Sequence, residues 1–182
     1  MANFDQFDTV LKLYQTSFAS KVYCEENDDH DLLMDAFGIS PTLKRENRQY
    51  WGRELGFCWQ RLIIEACKNL SNYLPALRIG SDEPCDLIVG EYAIDTKYRI
   101  GSGDSGTLKK FKSYGPMLRE RGYTPVFLIL REDNLNNAIQ ACHQGGWKVL
   151  TGQQSLDFIK EISDIDIEGY LKNRAASFLV ER

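Results

Sequence analysis

The chain has 182 residues, of which 43% are hydrophobic and 26% charged, and its formal net charge is −4. This composition is typical of a globular domain and excludes a disordered or collagen-like chain. No apolar run approaches the roughly 18 residues of a membrane span, and the N-terminus lacks a signal-peptide pattern. Five cysteines without a C-x-x-C pair, beside only two histidines, argue against a zinc site and favour free thiols in a reducing, cytoplasmic setting. We therefore expect a single domain.

The first third of the chain is predicted to be helical. Apolar residues recur at helical spacing over Phe4–Val22, and again over Arg53–Leu70. Between them, a short helix over Leu32–Phe37 is expected to end at Gly38. The polar, basic residues 42–50 predict a loop or a helical lead-in.

A β-hairpin is predicted after the second long helix. Leu74–Ile79 has the composition of a strand, and Cys85–Val89 and Tyr92–Tyr98 form two more around a turn at Gly90-Glu91. If Val89 pairs with Tyr92 across this turn, counting outward places Asp86 opposite Asp95.

Strand alternation then separates two kinds of side chain in this hairpin. Leu87, Val89, Tyr92 and Ile94 share one face, which is expected to join the core, while Asp95 and Lys97 share the other. Facing carboxylates repel each other, so the pair is expected to surround a cation. Mg²⁺ suits one or two carboxylates completed by water and phosphate oxygens. The alternative is that both aspartates are solvated strand residues balanced by Lys97.

The rest of the chain alternates helices and strands. A loop over Gly101–Gly106 resembles phosphate-binding and protease motifs but lacks the lysine or the glycine that each requires, so we expect a flexible loop with Ser105 or Thr107 as a helix cap. The following helix runs to Arg121, and Asp133 or Asn134 is expected to cap the next one. The remaining predicted elements are a buried strand over Thr124–Leu130, a helix over Leu135–His143, a strand over Trp147–Leu150, and helices over Ser155–Ile162 and Ile167–Leu179.

The hairpin motif resembles the signature of the PD-(D/E)XK nuclease superfamily. Pro84-x-Asp86 is followed, after eight residues, by Asp95-Thr-Lys97, and the continuation over 98–112 resembles the ApaLI-like group of type II restriction endonucleases. The predicted order of helix, three antiparallel strands, helix, strand, helix and strand is the αβββαβ core expected of that superfamily. The resemblance implies an α/β fold with a restriction-endonuclease-like core at 51–150, preceded by helices at 1–50 and followed by helices at 151–182.

The same resemblance implies a chemistry. Asp86 and Asp95 would bind Mg²⁺, with Mn²⁺ as a substitute, and Lys97 would help to activate the attacking water. Relatives place a metal-supporting Glu on the first core helix, and the topology favours Glu54 over Glu65 because the helix is expected to start on the catalytic side. A Glu in a first helical turn also simply favours the helix dipole. Cleavage would leave 5′-phosphate ends on double-stranded DNA.

Basic residues cluster beside the predicted centre despite the acidic total. Residues 97–121 carry seven Lys and Arg against two acids, and residues 44–53 carry four against one. Such patches suit a phosphodiester backbone, although solvated helix faces give the same pattern. The candidate DNA contacts are Arg99, Lys109, Lys110, Lys112, Lys44, Arg45 and Arg48. A homodimer is expected because one domain holds one centre and a duplex has two strands.

Three alternatives to a restriction enzyme stay open on the sequence alone. A junction resolvase or repair nuclease would use the same chemistry but select DNA by its shape. A non-catalytic DNA-binding module would keep the fold and lose the cleavage. A protein unrelated to nucleic acids would carry the two aspartates as solvated surface residues that bind no metal.

Overall fold

The computed structural model describes residues 5–20 and 24–180. Both ends predicted for the first helix, Phe4 and Val22, lie outside these ranges. In chain order the helices and strands are α1 (Asp5–Ser20), α2 (Leu32–Phe37), α3 (Pro41–Glu46), α4 (Arg48–Cys67), β1 (Tyr73–Ile79), β2 (Asp82–Val89), β3 (Tyr92–Lys97), α5 (Ser105–Arg119), β4 (Thr124–Ile129), α6 (Asn136–Gln144), β5 (Lys148–Thr151), α7 (Gln153–Ser163) and α8 (Ile167–Lys172).

The centre of the molecule is a five-stranded mixed sheet in the order β1-β2-β3-β4-β5. The first three strands are antiparallel, and β3, β4 and β5 are parallel. The parallel strands are joined by the crossover helices α5 and α6, as short loops alone cannot connect parallel neighbours. This confirms the mixed α/β class and the predicted order of elements.

Helices cover the sheet on both faces and create two cores. One core contains Trp59 and Ile63 of α4 packed on Leu87, Ile94 and Leu128 of the sheet. The other is built by α5 and α6 around Phe111, Phe127 and Trp147. Burial on both faces explains why β4 is a continuous apolar run rather than an alternating one.

Helix boundaries follow local chemistry that the sequence only partly shows. The cap of α5 is Asp104, whose carboxylate accepts a hydrogen bond from the backbone N–H of Thr107 at 2.9 Å, so neither Ser105 nor Thr107 is the cap. Helix α6 begins after Leu135 without a side-chain cap, and Asn134 instead donates to the Arg131 carbonyl. Residues 41–46 form a true helix rather than a loop.

In the described part of the chain, no helix combines the length and apolar character that crossing a membrane would demand. All five cysteines are free thiols, and Cys67, Cys85 and Cys142 are buried.

Candidate active site

The β2–β3 hairpin has the register that the sequence predicts. Val89 pairs with Tyr92, and the ladder continues to Leu87 opposite Ile94. Gly90 has a φ of 56°, a left-handed conformation that glycine adopts without steric cost. The hydrogen-bonded ladder between β2 and β3 ends at the pair Leu87–Ile94. The next pair would be Asp86 and Asp95, so both carboxylates lie just beyond the last paired residues.

Beyond the ladder, the Asp86 carboxylate accepts the hydrogen bonds that link β2 to β3, in place of a backbone carbonyl. One oxygen accepts hydrogen bonds from the backbone N–H and the hydroxyl of Thr96, at 2.7 and 2.6 Å, and the other accepts one from Gln60 Nε2 at 2.6 Å. Cys85 and Ile88 both belong to the second core, so the strict alternation of β2 breaks between them. This irregularity lets Asp86 reach the α4 side of the sheet, and its three donors hold it in one orientation.

Asp95 and Lys97 form an ion pair on the neighbouring strand. The Lys97 ammonium donates to Asp95 Oδ1, and the Asp95 side chain is 13% exposed. Burial raises the pKa of Asp95 to about 6, with Lys97 opposing this rise and the charge of Asp86 adding to it. Burial works to lower the pKa of Lys97, but Asp95 and Asp86 outweigh it and the pKa is raised. Lys97 is therefore an ammonium at neutral pH, and the centre carries more negative than positive charge.

The centre opens into a groove between α4 and the end of β3. Its wall includes Gly52, Gly56 and Gln60 of α4 together with Asp86, Thr96 and Lys97. Arg53 and Arg99 also line this groove, and a neighbouring depression shared through Gly52 and Arg99 adds Arg48 and Gln49. Cationic and amide side chains thus flank Asp86 and Lys97 along one continuous surface.

The residue that α4 contributes to the centre is Gln60, not a glutamate. Glu54 accepts a hydrogen bond from Arg53 Nε at 3.0 Å and lines a neighbouring depression on the outer face of α4, which shares only Phe57 with the groove. Glu65 lines that same outer depression and pairs with Lys68. Gln60 was not predicted, because the residue expected from α4 was a carboxylate that supports a metal, and Gln60 carries an amide. Gln60 follows Trp59 by one residue, about 100° around the helix, so it lies at the edge of the buried stripe and helical spacing alone does not single it out.

The predicted DNA contacts divide into exposed and buried residues. Lys44 is 4% exposed, and its ammonium contacts Glu26 and the Tyr98 hydroxyl, so it is removed from the candidate DNA surface. Burial lowers the pKa of Lys44, with Glu26 opposing that change. Arg99 is largely occupied, because it donates to the Asp133 carbonyl at 2.8 Å and to the Cys24 carbonyl at 2.7 Å. The exposed candidates are Arg45, which pairs with Asp28, and Arg48, Lys109, Lys110 and Lys112.

A second charged cluster, here called the Arg131 network, lies behind the groove. Arg131 is 4% exposed and donates to Asp133 Oδ1 at 2.8 Å, to the Asp29 carbonyl at 2.8 Å and to Asp31 Oδ2 at 3.1 Å. The Tyr98 hydroxyl donates to Asp31. The acidic stretch that precedes α2 is therefore drawn onto the ends of β3 and β4 by buried cations.

The chemistry of the donors suits a divalent cation of the Mg²⁺ type. Two carboxylates at a partly open sheet end match the one or two that Mg²⁺ takes, with water and phosphate oxygens completing its shell. Burial is the main cause of the raised pKa of Asp95, so a cation beside this carboxylate would offset the cost of its charge. Within residues 5–20 and 24–180 no group of three or more His, Cys, Asp or Glu side chains is arranged to hold a metal.

Comparisons of the chain with protein-family models, with curated proteins and with solved structures gave no significant match.

Proposed function

We propose that this protein is a divalent-metal-dependent endonuclease that cuts double-stranded DNA at specific sequences, as type II restriction enzymes do, on a restriction-endonuclease-like core. The observation that carries the proposal is the centre at the end of the β2–β3 ladder. It brings the oriented Asp86 carboxylate and the Lys97 ammonium to one groove, and Lys97 pairs with the buried Asp95 carboxylate, whose pKa is raised. A solvated surface pair would need neither the three donors to Asp86 nor the burial of Asp95.

Asp86 and Asp95 are the residues that would hold Mg²⁺, or Mn²⁺ in its place. The ion would supply the positive charge that neutralises a phosphodiester and acidifies the attacking water. Gln60 and Thr96 together supply three hydrogen-bond donors that fix the orientation of the Asp86 carboxylate. This also fixes the direction of the lone pairs that these donors do not use, which are the ones that could bind a cation. Because Glu54 lies on the outer face of α4, its predicted role in supporting the metal is not part of this proposal.

Lys97 acts through its charge and its hydrogen bonds. Since its pKa is raised, it remains protonated and does not serve as a general base. An ammonium placed in the groove can donate to the attacking water and stabilise the negative charge that develops on the phosphoryl oxygens. Attack of water on phosphorus with loss of the 3′ oxygen gives the 5′-phosphate ends that we expect.

Selectivity for sequence is supported by the side chains along the groove. Arg48 and Gln49 begin α4 beside it and are exposed, and Arg and Gln are residues that read base edges in a DNA groove. Lys109, Lys110 and Lys112 are exposed on α5 and suit contacts to the phosphate backbone.

The decisive experiment is incubation with plasmid DNA in Mg²⁺ or in EDTA, for the unaltered protein and for Asp95→Ala. We expect discrete fragments in Mg²⁺ and none in EDTA or with the variant. A control variant, Asp157→Ala, removes an exposed carboxylate of α7 and should cut normally.

Other outcomes point to other functions. Cleavage only of branched DNA would favour a structure-selective nuclease. DNA binding without cleavage in any divalent metal would favour a binding module on the same fold. That second candidate is supported by Asp86, because both of its oxygens already accept hydrogen bonds from the protein.

A further inference from the structure

The helix α1 presents an apolar stripe that nothing in the described part of the chain covers. All of its described side chains are exposed, including Val10 at 52%, Leu11 at 67%, Tyr14 at 54% and Phe18 at 71%. Exposed apolar residues are ordinary when scattered singly, but a continuous stripe marks an interaction surface. A surface of this kind needs a partner.

The spacing of the stripe identifies another helix as that partner. Phe7, Leu11, Tyr14 and Phe18 follow one another at intervals of four, three and four residues, the heptad pattern of a helix that packs along a second helix. The Tyr14 and Phe18 rings are already adjacent, with centroids 5.8 Å apart. Because a 16-residue helix with several β-branched and aromatic residues is marginal alone in water, burial of this stripe would also stabilise α1 itself.

The charges of α1 argue against a nucleic acid or a lipid surface. Its charged residues are Asp5, Asp8 and Lys12, so it lacks the lysine- and arginine-rich polar face of helices that bind those partners. The near-neutral helix also meets little repulsion from a second copy of itself.

We propose that α1 is the dimerisation element of this protein and pairs with α1 of a second copy through the stripe of Leu11, Tyr14 and Phe18. This inference rests on the proposed function for its choice of partner, because each chain holds one carboxylate centre and a duplex has two strands to cut.

The chain offers a matched pair of variants to test this interface. Leu11 and Leu13 are the same residue type in one helix and are both 67% exposed, but only Leu11 lies on the stripe. We expect sedimentation equilibrium of the full chain, without DNA or metal, to show a monomer–dimer equilibrium. Leu11→Glu should raise the dissociation constant at least tenfold, and Leu13→Glu should change it less than about threefold. Circular dichroism should show that the body stays folded in both variants, because neither exposed side chain packs on it, and any helix signal lost in Leu11→Glu should not exceed the contribution of α1.

Three results would overturn the interface. They are a monomer at all concentrations up to about 100 μM, equal effects of the two variants, and a dimer that neither variant weakens. Because this measurement involves no cleavage, its failure is separate from that of the proposed function. A dimer without cleavage would contradict the nuclease proposal alone, and cleavage by a monomer would contradict the interface alone.

Discussion

Two charged clusters lie at the carboxyl ends of β3 and β4, and they are balanced in opposite ways. In the Arg131 network, Lys44, Arg99 and Arg131 face the carboxylates of Glu26, Asp31 and Asp133, so the charges are equal in number. In the centre on the hairpin, two carboxylates face the single ammonium of Lys97.

The difference shows which cluster is complete. Burial of ions is tolerated when each is paired and hydrogen-bonded, as around Arg131. Asp95 and Asp86 instead share the single ammonium of Lys97, and burial, with the charge of Asp86 adding to it, raises the pKa of Asp95. We interpret the Arg131 network as structural, since it ties the acidic segment before α2 to the sheet, and the hairpin centre is where the proposed function would place its cation.

The largest expected effect comes from breaking the complete cluster. Arg131→Met should lower the free energy of unfolding by about 3–5 kcal/mol, because it leaves buried carboxylates without their partner. Urea denaturation measures this change. Arg78→Met is the control, since Arg78 is 82% exposed and its pair with Glu83 should contribute about 1 kcal/mol or less. A loss from Arg131→Met as small as that of the control would contradict the structural role of the network.

The buried Asp95 of the hairpin centre should make the free energy of unfolding depend on pH. The folded pKa of Asp95, about 6, is above its ordinary value of 3.8, so the folded protein holds this proton more tightly than the unfolded chain. The stabilisation is therefore present below about pH 4 and is lost as the pH rises through 6, a fall of about 3 kcal/mol at most. In Asp95→Asn this fall should disappear from urea denaturation curves between pH 4 and 7.

A control with the opposite sign is available in α8. The pKa of Asp166 is lowered, chiefly by the backbone N–H of Gly169, so its stabilisation is present at neutral pH and lost on acidification. Asp166→Asn should thus remove stability at pH 7 and little at pH 3.

Mg²⁺ should stabilise the unaltered protein at pH 7, and a Mg²⁺ effect of the same size in Asp95→Asn would place the ion elsewhere.

A smaller effect is expected from the residue that orients Asp86. Gln60→Ala removes a hydrogen bond to a charged group and should cost about 1.5 kcal/mol of unfolding free energy. It should also slow cleavage, since Asp86 loses one of its three donors. Gln49→Ala removes an exposed amide from the same helix and is the matched control for stability. If cleavage by Gln60→Ala is unchanged, the orientation of Asp86 by α4 does not matter to the chemistry.

The sequence predicted the sheet and the hairpin well because their signals are local. Alternation in 85–98 and a glycine at the turn were enough to set the register of Val89 on Tyr92. The functional contribution of α4 was harder to predict, because which of its polar residues meets Asp86 depends on how the helix crosses the sheet. Lys44 was misplaced for a related reason. A lysine beside arginines has the pattern of a surface patch, and only the fold brings Glu26 and Tyr98 around it.

The smallest expected effect concerns two cations of the basic patch at residues 44–48, the exposed Arg48 and the buried Lys44. Arg48 is exposed beside the groove, so Arg48→Ala should leave stability within about 0.5 kcal/mol and weaken DNA binding. If Arg48 contacts a phosphate, the slope of log K against log salt should become shallower by about 0.9, because one fewer counterion is released. Lys44→Met should instead change stability and leave that slope unaltered, since its ammonium is bound to Glu26 and Tyr98. Fluorescence anisotropy of a labelled duplex in Ca²⁺, at several salt concentrations, measures both slopes, with Arg78→Ala on the outer strand as a second control. Equal slopes for Arg48→Ala and Arg78→Ala would remove this end of α4 from the DNA-contacting surface, and a shallower slope for Lys44→Met would mean that the Arg131 network opens when DNA binds.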